Sequence, residues 1–286
     1  MNQKPFVTIV IPTYNSSATL EPLLRSIQEQ TYKGQELVIV DNHSTDNTLE
    51  IAKRFTSKVF CQGPERSAQR NRGAKEATGT YLLFLDSDMQ LTSRVVEDIV
   101  NTFQSYSEKK ALIIPEESFG DGFWAACKKL ERSFYVGVPW MEAARAFCID
   151  SFREIGGYDE NNTGTEDYDL PHRIEEKYGE CSIGRIEGFI FHNEGRISFI
   201  RSCKKKFYYA KKLDVYVGIS ANKKKFTLQA NPLKRYSLFF GKPMQLFKNP
   251  LLGFGMLLMK SCEMISGAIG FLLRRLDNNL INSIYK

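Results

Sequence analysis

The sequence predicts an α/β layered domain, a mostly parallel sheet with helices on both faces, followed by a basic helical region. Short apolar runs rich in β-branched residues alternate with stretches of helical period, as strands buried on both faces require. Charge is divided unevenly along the chain. No glycine or cysteine signature points to another class.

The first expected strand is Phe6 to Ile11, where FVTIVI offers no polar face to solvent. Leu20 to Ile27 follows with the 3.6-residue spacing of an amphipathic helix. The pair repeats as Leu37 to Val40 then Leu49 to Phe55, and as Tyr81 to Leu85 then Val95 to Phe103, before a last run from Ala111 to Ile114. Strand and helix in strict alternation give βαβ units. Ser17 and Asp46, just ahead of two helical patterns, are the expected caps, since a side-chain oxygen there can accept an unsatisfied backbone N–H. Gly156-Gly157 is expected to serve a turn.

With 286 residues, 42% hydrophobic and 12% aromatic, the chain can bury a full core. Its six cysteines stand singly, without a Cys-x-x-Cys pair or a histidine at ligand spacing, so we expect reduced thiols in a cytosolic protein. The apolar part of MNQKPFVTIVIP is too short for a secretory leader and is expected to enter the first strand directly. The net charge of +6 conceals a division: residues 1–198 carry 22 basic and 30 acidic side chains, residues 199–286 carry 17 and 3. A basic tail of this kind marks a surface for an acidic partner. These limits suggest one large domain over 1–198 and a basic C-terminal region over 199–286.

Ligands of open α/β sheets gather beyond the carboxyl ends of the strands, so the residues after each run belong together. They are Pro12-Thr13-Tyr14-Asn15, then Asp41 to Asp46, then Asp86-Ser87-Asp88. The first turn, PTYNSS, has no glycine, which excludes the usual dinucleotide fingerprint. It also lacks the glycine- and lysine-rich triphosphate loop that a nucleotidyltransferase would want. Two carboxylates one residue apart can share a hard divalent cation whose remaining ligands are phosphate oxygens and water. A lone Asp-Ser-Asp is more often a simple polar turn.

The motif is not alone. VTIVIPTYN, ELVIVDNHSTDNT, RSAQRNRGAKEATGTYLLFLDSDMQL and RAFCIDSFREIGGYDENNTGTEDYDLPHRI occur in an order and spacing that resemble the family 2 glycosyltransferases of the nucleotide-sugar-dependent, Rossmann-like GT-A fold, across roughly residues 6–198. The resemblance implies an inverting transfer from a nucleotide-diphosphate sugar, assisted by Mn²⁺ or Mg²⁺. It implies that Pro12, Thr13 and Tyr14, with Asn15 beside them, line the base and ribose, and that Asp41 accepts from a base N–H. Arg70 would approach the base or diphosphate, with Asn71 and Gly73 shaping a turn. Asp86 and Ser87 would lie near the donor sugar, and Asp88 would bind the metal, with Asp86 and His192 close to it. In the acidic pair Glu166-Asp167 the aspartate would be the general base, and Glu166, Arg145 and Trp140 would face the acceptor.

Simpler readings stand beside these. TEDYDL also fits a helix N-terminus capped by Thr165. His192 could be a hydrogen-bonded structural histidine, Arg145 a surface ion pair, and Trp140 core. The family's frequent Q/R-x-x-R-W signature is missing after the acidic pair, where LPHRIEEKYG stands, so transfer of a single sugar is expected rather than processive synthesis. A non-catalytic nucleotide-sugar or lipid-binding module would keep the pocket without needing Asp167.

In the tail, RSCKKKFYYAKK and the later KKK at 223–225 mix lysine with aromatics, and Leu251 to Leu273 is largely apolar. Lys260, Glu263, Gly267, Gly270 and Arg274 recur there at three- and four-residue steps, drawing a polar stripe. The length would cross a bilayer, but two internal charges speak for a helix lying in the interface of an anionic membrane. A cap packed on the catalytic domain, or a homodimer contact, has the same pattern. Nucleic acid is not an expected partner, for no reader of base edges is recognisable. A polyprenyl-linked hydroxyl acceptor at the cytoplasmic face would suit membrane association.

Overall fold

A computed structural model describes residues 5–162, 164–210 and 227–284, with side chains described as far as Arg274. The lysines at 211–212 and 223–225 singled out above lie outside the described residues. The chain divides into two compact units. The first holds residues 1–117, 142–161 and 166–193; the second holds 118–141, 162–165 and 194–286.

The first unit is built on a seven-stranded sheet. In chain order its strands are β1 (Val7–Thr13), β2 (Gln35–Asp41), β3 (Val59–Cys61), β4 (Tyr81–Phe84), β6 (Ala111–Ile113), β8 (Ala144–Cys148) and β9 (Ile183–Arg185), arranged β3-β2-β1-β4-β8-β6-β9. β1 to β4 pair in parallel, whereas β8 runs antiparallel to both β4 and β6. The interleaved helices are α1 (Leu20–Gln28), α2 (Thr48–Lys53), α3 (Arg66–Lys75) and α4 (Val95–Ser105), then α6 (Ile149–Glu154) and α7 (Glu166–Tyr178). Successive side chains of β1 serve opposite faces. Val7, Ile9 and Ile11 join a core with Leu20, Leu23 and Ile27 of α1 and Ile99 and Phe103 of α4. Val10 instead joins Val38, Val40, Leu82 and Phe84 under Phe152, Leu170 and Ile174 of α6 and α7. Covering both faces removes each of these side chains from water, a gain of roughly 1.5–3 kcal/mol apiece. Pro12 fits into β1 because the ladder to β4 ends at the pair Val10 and Phe84.

β5 (Met89–Leu91) follows the acidic turn and pairs antiparallel with β10 (Ile190–Arg196), setting His192 opposite Met89. With β7 (Glu116–Asp121) these strands form a small sheet in the order β5-β10-β7.

The second unit is helical. It contains α5 (Phe123–Ser133), α8 (Phe199–Ala210), α9 (Pro232–Phe240), α10 (Pro243–Leu246) and α11 (Pro250–Ile284). Its core gathers Cys127, Phe134, Phe239, Leu246, Met256 and Met259, with the rings of Phe134 and Phe239 5.4 Å apart and edge-on. The expected boundary at 198 therefore moves to 193, and residues 118–141 go with the tail, because α5 packs its buried side chains among the C-terminal helices.

Two local expectations also change. Ser17 does not cap α1: its N–H donates to Asp46 Oδ2, and the Ser16 carbonyl accepts from Thr19 and Leu20. Asp46 does act at its own helix, accepting from the Thr48 N–H at 3.0 Å. The polar stripe of α11 points inward, with Lys260 and Glu263 buried.

Candidate active site

The segment RSAQRNRGAK has too few apolar residues to announce a helix, yet it forms α3 and buries Ser67, Ala68, Gln69, Arg70, Gly73 and Ala74. Asn71 and Gly73 thus belong to a helix and not to the expected turn. A Cβ on Gly73 would stand 2.3 Å from Val10 Cγ1, so only glycine lets α3 lie this close to β1. Gln69 fastens the helix to the strand ends, its Nε2 donating to the Thr13 carbonyl at 3.0 Å and the Val40 carbonyl at 2.6 Å. That fixes the next residue, Arg70, beneath the rim.

Arg70 is fully buried. Its Nη2 donates to Asp86 Oδ1 at 2.8 Å and its Nη1 to Asp167 Oδ1 at 2.7 Å. The guanidinium carbon lies 5.1 Å from the centroid of the Tyr158 ring. Arg66, one turn earlier, reaches Glu166 Oε1 at 3.2 Å and approaches Asp86 Oδ1 at 3.8 Å. From β8, Arg145 brings Nη1 to 3.6 Å from Asp86 Oδ2, while its Nε donates to Glu116 Oε1. Burial alone would push the Asp86 carboxyl up. Arg70, Arg145 and Arg66 outweigh it and hold Asp86 well below the usual carboxylate range, so it stays ionised. Glu166 behaves differently: burial first, then the neighbouring Asp167, raises its carboxyl above the ordinary value.

The structure joins Asp86, Arg70, Arg145, Glu166 and Asp167 in one network. It changes what some of them face. Arg145 sits in a buried ion pair and not on the surface, and Glu166 is almost fully buried against arginines. Asp86 turns both oxygens to guanidiniums. Trp140 lies in the second unit, where its carbonyl accepts from Gln229 Nε2 at 2.9 Å. Thr165 donates its hydroxyl to Asn162 Oδ1 at 2.6 Å, and Glu166, Asp167 and Asp169 occupy the first turn of α7. Arg66, Glu116 and Tyr158 are members of the network that the motifs do not single out. Arg66 precedes Arg70 by four residues, a signal available only once the segment is read as helical.

At the metal position the expected trio does not form one ligand set. No three His, Cys, Asp or Glu side chains converge as a cation site among the described residues, since the arginines claim Asp86. Asp88 remains suited to hold a cation, because its Oδ1 is buried without a hydrogen-bond partner and its Oδ2 lies 3.4 Å from His192 Nε2. His192 Nδ1 stands 3.6 Å from Glu116 Oε2. Five carboxylates face three guanidiniums around this rim, an excess of negative charge that a divalent cation would offset. One or two protein ligands suffice for Mn²⁺ or Mg²⁺ when phosphate oxygens and water complete the shell.

On the opposite side of the rim, Asp41 is buried and accepts from Thr13 Oγ1 at 2.8 Å, Ser44 N at 2.7 Å and Ser44 Oγ at 2.6 Å. A carboxylate has about four acceptor positions, leaving room for one more donor. The loops after β1 and β2 are laced together: Asn15 N donates to Ser44 Oγ at 2.8 Å, and Asn15 Oδ1 accepts from Thr45 N at 2.9 Å. Asn15 and His43 hold left-handed backbone, with φ of 47° and 53°, conformations that need such lacing. Tyr14 is 61% exposed above them. Ser87 donates to Ser16 Oγ at 2.8 Å, tying the acidic turn to the same loops.

A mostly parallel sheet reversed by β8, with carboxylates and arginines at its carboxyl edge, is a GT-A fold. Residues 8–134 match the model of the family described as Glycosyl transferase family 2. It is 29% identical over 163 residues to a poly(ribitol-phosphate) beta-N-acetylglucosaminyltransferase of Staphylococcus aureus, covering 50% of each chain. It is 29% identical over 106 residues to the GalNAc(5)-diNAcBac-PP-undecaprenol beta-1,3-glucosyltransferase of Campylobacter jejuni, covering 34% of each. The chain thus spans half or less of the length of these relatives. Among solved structures, a mannosyltransferase of Pyrobaculum calidifontis in complex with GDP-Man and Mn²⁺ superposes with a TM-score of 0.59 at 16% identity, covering 95% of this chain and 88% of that one. At this identity the likeness concerns the fold.

Proposed function

We propose that the protein transfers a single sugar from a nucleotide-diphosphate sugar to a hydroxyl acceptor with inversion at the anomeric carbon. The observation that carries this reading is the Arg70 bridge, which places a strand-end acid and the first-turn acid of α7 on the two ends of one guanidinium. Tyr14 and Asp41 bind the nucleotide base, Asp41 accepting from an imide or amide N–H of uracil or guanine. Asp88, with His192 beside it, would hold Mn²⁺ or Mg²⁺, and the ion would supply charge neutralisation for the diphosphate leaving group. Arg70 keeps Asp167 Oδ1 occupied and leaves Oδ2 to take the acceptor's proton. The acceptor oxygen then bonds to the anomeric carbon as the bond to the diphosphate oxygen breaks.

The acceptor is a lipid-linked sugar or phosphate presented at the cytoplasmic face of a membrane, and residues 199–286 meet that anionic surface. The basic tail supports this, as does the undecaprenol-linked substrate in the name of the Campylobacter relative. Asp167→Asn tests the catalytic claim. Transfer and donor hydrolysis should fall by about 10²–10⁴-fold, while nucleotide diphosphates with Mn²⁺ still raise the melting temperature. Turnover undiminished in that variant would remove Asp167 from its role, and a wild type that binds donor but never turns over would mark a binding module.

A further inference from the structure

We infer that α11 docks in the plane of an anionic bilayer through its outward face, and does not cross it; the inference gives a surface to the membrane association proposed above and rests on that reading. A water-soluble helix turns its charges outward and its apolar stripe inward. α11 buries its charges beside Met256 and Met259 and leaves a second apolar face outside. Lys260 and Glu263, its charged residues between Pro250 and Leu273, are 4% and 2% exposed, whereas Leu251, Phe254, Leu258, Ile265, Ile269 and Leu272 are between 48% and 70% exposed. Those six fall at steps of three, four or seven residues, one continuous stripe on the side opposite Lys260 and Glu263.

The inward charges are held firmly. Lys260 Nζ lies 2.6 Å from Glu131 Oε1 and 3.5 Å from Glu263 Oε2, and Lys128 Nζ lies 2.8 Å from Glu131 Oε2. Tyr135 donates to Glu131 Oε1 at 2.6 Å, and Ser202 of α8 donates to Glu263 Oε1. By length and hydropathy the helix could cross a membrane over Pro250–Arg274. Its inner face nevertheless packs on α5, which carries Lys128, Lys129, Glu131 and Arg132 within two turns. A transverse helix would drag those charges into hydrocarbon, at a cost of several kcal/mol each by most scales. An in-plane helix leaves them on the water side.

Charge selects the bilayer over a second protein copy as the occupant. The apolar stripe continues through Phe247, whose ring is 5.7 Å from that of Phe254, to the exposed Met244. Exposed Lys242 and Lys248 adjoin it, and the whole region carries 17 basic residues against 3 acidic ones. Two copies meeting at this face would oppose like charges, whereas anionic headgroups attract them. An apolar stripe bordered by lysines is the composition of an interfacial helix.

The test is vesicle flotation of the full chain with phosphatidylcholine alone and with phosphatidylcholine containing phosphatidylglycerol. The wild type should float with the anionic vesicles. Leu258→Glu/Ile265→Glu should reduce recovery at least about tenfold, and Lys242→Glu/Lys248→Glu should also reduce it about tenfold or more, on the anionic vesicles only. Donor hydrolysis by both double variants without vesicles should match wild type, so loss of flotation with hydrolysis intact leaves the catalytic reading standing. A wild type that stays unbound, or a Leu258→Glu/Ile265→Glu variant that floats like wild type, overturns the inference. So does light scattering that shows an unfloated dimer which that variant splits, since a second copy would then cover the face.

Discussion

Arg70 commits both arms of its guanidinium to carboxylates 16 and 97 residues away in the chain. A planar fork can do this and a lysine ammonium cannot, so Arg70→Lys tests geometry with the charge kept. We expect kcat for transfer to fall about 10²-fold, the size of loss that a displacement near 1 Å produces. Arg70→Gln should in addition destabilise the fold by about 3–5 kcal/mol, because it abandons buried carboxylates. Steady-state kinetics with chemical denaturation checks both, and near-normal turnover in Arg70→Lys would refute the bridging role. Individual acids were legible in the sequence, since Asp86, Asp88 and Asp167 stand in recognisable motifs. Their partners were not. Nothing local marks Glu116 or Tyr158, and whether Asp86 faces a metal or three arginines depends on contacts between segments far apart.

Among elements, β1, β2, β4 and β6 and the helices α1, α2 and α4 came through almost residue for residue, because a side chain buried on one face has to recur at the period of its own backbone. α3 escaped because its buried surface is polar, the outcome when tertiary contacts decide what propensity cannot. The same lesson applies to Glu36 at the start of β2. Its Oε1 accepts from Thr8 Oγ1 at 2.5 Å, Thr78 N at 2.7 Å and Thr78 Oγ1 at 2.8 Å, and Oε2 pairs with Lys58, so one carboxylate ties the bottoms of several strands. Burial raises its carboxyl, but Lys58 and the threonines prevail and bring it down to about 2. A folded value below the unfolded one means stability present above about pH 4.5 and lost as pH falls towards 2. Glu36→Gln should therefore cost about 2–3 kcal/mol at pH 7 and almost nothing near pH 2, read by urea unfolding across that range. A penalty that stayed constant with pH would mean the packing of Glu36 matters and its charge does not.

For the whole molecule, charge asymmetry showed that the tail differs from the front, but not that residues 118–141 belong with it. α5 reads as an ordinary amphipathic helix, and its buried Glu131 has a purpose only once Lys260 is opposite it. Burial pushes the Lys260 ammonium below its ordinary value, Glu131 pulls it back, and Glu131 itself is held well below the carboxylate range by Lys128 and Lys260. Replacing one member of such a cluster leaves the others buried and uncompensated, at a cost of about 3–5 kcal/mol. Lys260→Met keeps the length and apolar stem, so it isolates that charge. Hydrogen exchange should then quicken by at least about a hundredfold in the amides of α5 and of α11 up to Arg274, at a cost of that size. The amides of β1 and β4 lie in a core that shares none of these residues, and should exchange as before. Uniform quickening across both sets would show that the two cores open as one cooperative body, and protection unchanged in α11 would show that the ion cluster contributes nothing to holding that helix.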